Sequence, residues 1–472
     1  MSRTAAALLV PFFAAALLAQ RQGYIYRDME TSTLTEADPT YRHAPADAVE
    51  RWKDWKFGLR IHWGLYAMMG SDASWALPYS SREFRQIYGT RYQYFDPTGF
   101  DANAWMQMMS DAGMKYFTFT TKHHDGFSMW ATKTVRESLR LTPKGIRSGE
   151  GVYETVVIPY STMDTPFHRD VLAEMVAAAR QKGLGISLYY SHIDWQDPAF
   201  AWDPFNIHYD AGFTKQNDPA RWGKFIQQER DQVRELLTEY GQIDALEFDI
   251  GWPKEAAQDA AALAHMAREL QPRVLLRNRG IGAYGDMYTP EQVIPAGFQP
   301  GSPWQEIYPG GQAFSYLPND VYKPAEWIVH TLADVVAKGG NFEVGYGPMP
   351  DGRFPKDVVE RLRAVGKWMA VNGEAIYGTR PYVTFREGDD IRFTRSKDGR
   401  TVYAIALQWP GKTFSTKLVK VDDGATIDML GVPGKLVWHR SGDAVVIEIP
   451  EALDQKRPCE YAWVFRIRKS QN

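Results

Sequence analysis

Apolar and polar residues along this chain follow two patterns, and the pattern changes once, near residue 378. Before that point, short β-branched and aromatic runs trade places with longer stretches whose apolar positions recur at helical spacing. Pro45–Trp55 reads as an amphipathic helix with its proline tolerated in the first turn, and KFGLRIHWG follows as a strand ending at His62. Asn103–Gly113 is a helix, with Trp105, Met108, Met109 and Ala112 at core spacing and Gly113 as its stop. The strand Lys115–Thr121 comes next. Helices are predicted over Phe167–Lys182, Pro219–Tyr240, Lys254–Leu270, Lys323–Lys338 and Val358–Val371. The strands between them are LGISLYYS, IDALEFD, RVLLRNRG, a weaker Trp304–Tyr308 and NFEVGYGP.

Strand followed by helix, repeated, calls for a parallel sheet, either doubly wound or closed into a barrel. No Gly-rich phosphate fingerprint follows the first strand. Instead the strands end in chemistry: His62, His124, Tyr190, Asp249, Arg279 and Glu306 each stand at or near a strand C-terminus. A barrel brings such ends to one mouth, whereas an open sheet spreads them along an edge. The expected fold is therefore α/β, a (β/α) TIM-like barrel. After Gly378 the runs become short and alternating (DIRFTRS, TVYAIALQW, KLVWHR, AVVIEIP, EYAWVFRIR), separated by Gly- and Asp-rich turns, which predicts an antiparallel β-sandwich. The expected division is a signal peptide over 1–19, a lead-in over 20–50, the barrel over 51–377 and the sandwich over 378–472.

Composition narrows the class. A formal net charge of −3 gives no reason to expect nucleic acid or an anionic membrane as partner. The start, MSRTAAALLVPFFAAALLAQ, has one cation at Arg3 and an apolar run from Ala5 to Leu18, the shape of a secretory signal cleaved after Ala19. It is short for a membrane span, so the expectation is export, to a periplasm or outside, without stable membrane insertion. Cys459 is the only cysteine, which excludes an internal disulfide. The oligomeric state is not legible.

The candidate chemistry starts with Lys115–Trp130, KYFTFTTKHHDGFSMW, where a buried-looking strand runs into consecutive ionisable residues. Asp249, closing IDALEFD, faces the barrel mouth among aromatics as a nucleophile or base. Cleavage of a glycoside needs a second carboxyl, and Glu247, Glu291, Glu306 and Asp125 are available, Glu306 or Glu291 leading because they come from other strands. His62, His123, His124 and His192 show no HxH or HExxH spacing, so no metal and no cofactor is expected. Imidazoles can instead hold sugar hydroxyls, with Trp63, Trp75, Trp130 or Trp252 as stacking faces.

These stretches together, KFGLRIHWG, AGMKYFTFTTKHHDGFSMW, SLYYSHIDW, FDIGW, YTPEQ, KGGNFEVGYGPMPDGRFP and GKWMAVNGEAIYGTRP, resemble the α-L-fucosidases of glycoside hydrolase family 29 over roughly residues 50–410. The resemblance implies a metal-free retaining exo-hydrolase that acts on fucose-containing glycans. By position, Asp249 matches the family nucleophile, and His62, His123 and His124 match residues that bind the sugar hydroxyls. Tyr190 and Arg279 match a tyrosine and an arginine of the same pocket. Two departures stand out. Glu247 replaces a tryptophan common two residues before the nucleophile, and Trp304-Gln305 stands where Trp-Glu is frequent, which moves the expected acid/base to Glu306. The expected site is thus Asp249 and Glu306 for catalysis, with His62, Trp75, His123, His124, Tyr190, Glu247 and Arg279 for substrate. Glu247 also raises α-L-galactose as an alternative sugar, and Gln305 raises a carbohydrate-binding relic without catalysis.

Overall fold

The computed structural model describes residues 34–148, 151–201, 212–252, 254–299 and 302–469, so the expected leader lies outside the described residues. Seven parallel strands form one sheet: β1 (Phe57–Ile61), β2 (Tyr116–Lys122), β3 (Gly185–Ser191), β4 (Ala245–Asp249), β5 (Leu275–Leu276), β6 (Gln305–Pro309) and β7 (Asn341–Tyr346). Their spatial order is β5-β4-β3-β2-β1-β7-β6, so first and last strands meet. Residues 287–291 close the remaining gap through parallel bridges between Arg277 and Met287, Tyr288 and Trp304, and Glu291 and Ile307. With that segment the staves run around the barrel in chain order, giving a TIM-like barrel. Every residue of β1 to β4 is buried, as expected of parallel strands covered on both faces.

The helices start and stop for local reasons. Asp101, Asp170 and Asp218 cap Ala102–Asp111, Val171–Lys182 and Pro219–Thr238 by accepting from the backbone N–H of Ala104, Ala173 and Arg221 at 2.9–3.0 Å. Helix Ala46–Trp55 plugs the N-terminal end of the barrel, packing Ala48 and Trp52 on Ala245, Leu275 and Met287. Its Trp55 stacks on Tyr116 with ring centroids 5.2 Å apart. Gly185 is required there, because a Cβ would stand 2.3 Å from the Trp55 ring. The strand expected to reach Arg279 is shorter than predicted, and a hairpin of Arg136–Leu141 and Tyr153–Ile158, inserted between β2 and β3, was not anticipated.

The C-terminal part is antiparallel throughout. One sheet orders Arg380–Glu387, Ile391–Arg395, Thr401–Ala406, Trp463–Arg468 and Thr426–Met429; the other orders Thr413–Thr416, Ala444–Glu448 and Trp438–Ser441. Phe414 of one stacks on Phe465 of the other at 4.2 Å, inside a core that includes Phe393, Ile427 and Ile447. The sandwich leans on the barrel helices: Trp368 donates to the Ala462 carbonyl at 2.8 Å, and Thr394 to that of Ala375 at 2.8 Å. No helix among the described residues is long and apolar enough to cross a membrane.

Candidate active site

The C-terminal ends of the staves surround a cleft. Its wall is made by His62 after β1, His123 after β2, Tyr189 on β3, Asp249 on β4, Arg277 and Arg279 after β5, Glu291 on the closing segment and Ile307 and Pro309 on β6. Trp75, Ile250 and Phe314 add apolar surface. Both carboxylates stand at the head of a sharp turn, since the residues after them, Ile250 and Gln292, take φ of 66° and 61°. A β-branched residue at positive φ is strained, so the turn after Asp249 is held by its surroundings.

Asp249 has both oxygens engaged. Tyr189 donates its hydroxyl to Oδ2 at 2.6 Å and Arg279 Nη1 donates to Oδ1 at 2.7 Å. Arg277 and His124 approach to 3.7 and 3.8 Å. Burial pushes a carboxyl upward, but here Arg279, then Arg277 and His124, outweigh it and hold Asp249 well below the usual carboxylate range. The second amino nitrogen of Arg279 reaches Glu291 Oε2 at 2.8 Å. One guanidinium fork thus holds the two carboxylates side by side on its two terminal nitrogens. His62 is neutral, its imidazole lowered by burial and then by the charge of Arg60. It stacks on Phe314 at 5.2 Å, while His123 stacks on Tyr189 at 5.6 Å and bonds Ser74 through Nδ1.

Beneath the cleft the barrel interior is charged rather than aliphatic. Arg60 links Glu247 to Glu343, and Glu247 accepts from Thr118 at 3.1 Å, Ser187 at 3.2 Å and Gln305 at 3.1 Å. Burial, opposed by Arg60 and reinforced by the charge of Glu247, raises Glu343 to about 7. Among the described residues no group of three or more His, Cys, Asp or Glu is placed to hold a metal ion.

The α-L-fucosidase family model matches residues 26–145 and 148–374, and the α-L-fucosidase C-terminal domain model matches residues 387–468. The chain belongs to the α-L-fucosidase family. It is 26% identical to plasma α-L-fucosidase of Rattus norvegicus, over 92% of this chain and 95% of that one. It is also 26% identical to tissue α-L-fucosidase of Homo sapiens, over 87% of each. Among solved structures, α-L-fucosidase isoenzyme 1 from Paenibacillus thiaminolyticus superposes with a TM-score of 0.74 at 27% identity, over 90% of this chain and 99% of that one. The α-fucosidase of Thermotoga maritima, in complex with a mechanism-based inhibitor, gives 0.71 at 25% identity, over 91% and 100%.

Against this fucosidase-family frame the sequence expectations divide. Asp249, His62, Trp75, His123 and Arg279 meet in the cleft, and His124 lies just behind it against Asp249. β2 ends at Lys122, so His123 and His124 are both past the strand and free of its alternation. Three expectations are corrected. Tyr190 points out of the barrel, where its hydroxyl donates to Gln232 at 2.7 Å and its ring lies 4.3 Å from Lys122 Nζ; Tyr189 is the pocket tyrosine. Glu247 faces inward but one layer too deep, fully buried and bonded to the barrel interior. Glu306 alternates with Gln305 and Ile307, which point inward, so it lies outside the barrel wall, fully buried and away from the cleft. Asp125 is also elsewhere, accepting from Tyr88 at 2.6 Å. Glu291, one of the two leading candidates for the second carboxyl, is the one that lines the cleft, while Arg277 and Phe314 went unnoticed in the sequence.

Proposed function

We propose that the chain is an exo-acting retaining α-L-fucosidase that releases terminal fucose from glycans, with Asp249 as nucleophile and Glu291 as acid/base. The observation that carries this reading is the Arg279 fork, which sets the two carboxylates together in the cleft at the barrel mouth. Retaining hydrolysis needs carboxyls about 5–5.5 Å apart, and bonds to neighbouring nitrogens of one guanidinium favour that closeness over the wider inverting spacing. Family membership and the fucosidase relatives support the substrate class.

Glu291 enters the first step carrying its proton. An Asp249 oxygen then forms a bond to the anomeric carbon as the glycosidic C–O bond breaks. Glu291 gives its proton to the leaving oxygen. In the second step Glu291 takes a proton from water, the hydroxide attacks the anomeric carbon and Asp249 leaves as carboxylate. His62, neutral, and His123 serve sugar hydroxyls, and Trp75 and Phe314 offer apolar faces.

An α-L-galactose substrate loses its support, because Glu247 is spent on Arg60, Thr118, Ser187 and Gln305 below the cleft floor. A non-catalytic relic loses its support too, since Gln305 belongs to the same interior layer, accepting from Tyr116 at 2.9 Å. The proposed division keeps a leader over 1–19, a lead-in over 20–50, the barrel over 51–377 and the sandwich over 378–472, the last bracing the barrel. Export follows from that leader. The test is hydrolysis of an aryl α-L-fucoside beside the matching α-L-galactoside, with wild type and Asp249→Ala, following the anomer released by NMR. Fucoside turnover that gives the α-anomer first and vanishes in Asp249→Ala supports the proposal; preference for galactoside, or release of the β-anomer first, overturns it.

A further inference from the structure

Arg277 is a fully buried arginine on the cleft floor, and none of its three guanidinium nitrogens makes a hydrogen bond among the described residues. Its neighbours are carboxylates at ionic rather than hydrogen-bonding distance. Nη1 lies 3.6 Å from Glu247 Oε2 and 3.7 Å from Asp249 Oδ1, and Nη2 lies 3.9 Å from Glu291 Oε2. Arg279, by contrast, is fixed by short bonds to Asp249 and Glu291 and by the Thr289 carbonyl at 3.2 Å. A buried guanidinium without hydrogen bonds is costly, so its placement calls for a compensating role.

We propose that Arg277, anchored from beneath by Glu247, is the counter-ion shared by the two catalytic carboxylates, a positioning residue that serves whichever of them bears the charge. The proposal rests on Asp249 and Glu291 being that pair. In the first step Asp249 loses its charge on becoming an ester while Glu291 gains one on giving up its proton. The sum stays constant but the charge crosses the cleft. A cation 3.7 Å from one oxygen and 3.9 Å from the other loses one attraction as it gains the other, with no bond to break first. In a low-dielectric site that keeps the environment preorganised through the step. Glu247 prevents Arg277 from collapsing onto either carboxylate, because four interior side chains, Arg60, Thr118, Ser187 and Gln305, hold Glu247 itself.

The charged and titratable groups facing this cluster are Arg60, Arg279, His62, His124, Tyr189 and Glu343, and they stay in place in the test. Arg277→Met keeps the length and removes the charge. It should lower kcat/KM for an aryl α-L-fucoside about 10²-fold, the scale for loss of one preorganised electrostatic group. It should also move both limbs of the pH–kcat/KM profile to higher pH, since both carboxyls lose a cation. Arg277→Lys should recover about tenfold of the loss and return the limbs part-way. Glu247→Gln removes an anion from the other side of Arg277 and should move both limbs to lower pH. Opposite shifts in the two variants support the shared counter-ion; unmoved limbs, or shifts in one direction only, overturn it. If Arg277→Met does not fold, Glu247→Gln and Arg277→Lys decide the matter by the same limbs. Asp249→Ala and Glu291→Gln run alongside: activity retained in either places the fault in the catalytic pair and not in Arg277.

Discussion

Glu306→Gln separates the sequence expectation from the structural assignment in one variant. Glu306 sits fully buried on the outer face of β6, where the backbone of Gln292 and Val293 approaches its carboxyl. Burial, reinforced by Glu291 nearby, raises it from 4.5 to about 9. The folded protein therefore binds this proton more tightly than the unfolded chain. Between pH 4.5 and 9 the unfolded chain releases it and the folded one keeps it, so this group's contribution is full below pH 4.5 and fades as pH rises. From 4.5 to pH 7 the linkage amounts to about 3 kcal/mol, at roughly 1.4 kcal/mol per unit. Glutamine has the same shape and no proton to lose, so the variant should lose that pH-dependence. Thermal unfolding of wild type and variant at pH 5 and pH 8 should show the variant gaining relative to wild type only at pH 8. Its kcat/KM for an aryl α-L-fucoside should stay within about threefold, as for a substitution away from the site. An equal pH-dependence in both proteins, or a hundredfold loss of activity, would refute the placement of Glu306 outside the cleft.

The other predictions concern the cleft itself. Glu291→Gln should lower kcat/KM about 10²- to 10⁴-fold for a poor leaving group, yet leave the first step with a dinitrophenyl leaving group nearly intact, and azide should rescue the second step; a uniform loss with all leaving groups would remove it as the acid. Tyr189→Phe takes a hydrogen bond from Asp249 and should move the acid limb of kcat/KM to higher pH, whereas Tyr190→Phe should leave that limb where it is. Glu343→Gln should reduce the fall in thermal stability between pH 5 and pH 7, leaving the share that Glu306 contributes, because burial holds Glu343 protonated to about 7 and the folded state gives up its advantage across that window. An unchanged slope there would place the titrating group elsewhere.

What the sequence disclosed follows from where polarity contrasts with its surroundings. Apolar runs ending in His62, in His123 and His124 and in Asp249 announced both the barrel and its mouth, because a charged group ending a buried strand stands out. Facing direction was harder to see. LGISLYYS is covered on both sides, so nothing in it distinguishes the inward Tyr189 from the outward Tyr190. Glu247 shares the parity of Asp249 and so points inward, but sequence carries no measure of depth, and it lies one layer down with Arg60 and Glu343. Glu291 stands on a stave that no propensity reveals: YTPEQ contains Pro290 and joins the barrel through isolated bridges instead of a ladder. Its signal was positional, a carboxylate within YTPEQ, one of the stretches that resemble the family. Arg277 gave no sign, since RVLLRNRG carries three arginines of equal parity, Arg273, Arg277 and Arg279, and only the geometry separates the one bonded to both carboxylates from the one held between them.

The most direct test of the account is to trap the glycosyl-enzyme. Wild type and Glu291→Gln would be incubated with a 2-fluoro-fucosyl fluoride, and the adduct located by intact mass and peptide mapping. One fluorofucosyl unit is expected on the peptide carrying Asp249, accumulating and persisting longer in Glu291→Gln, because the water that releases it has lost its base. An adduct on another carboxylate, or turnover without any adduct while the anomer is inverted, would contradict it.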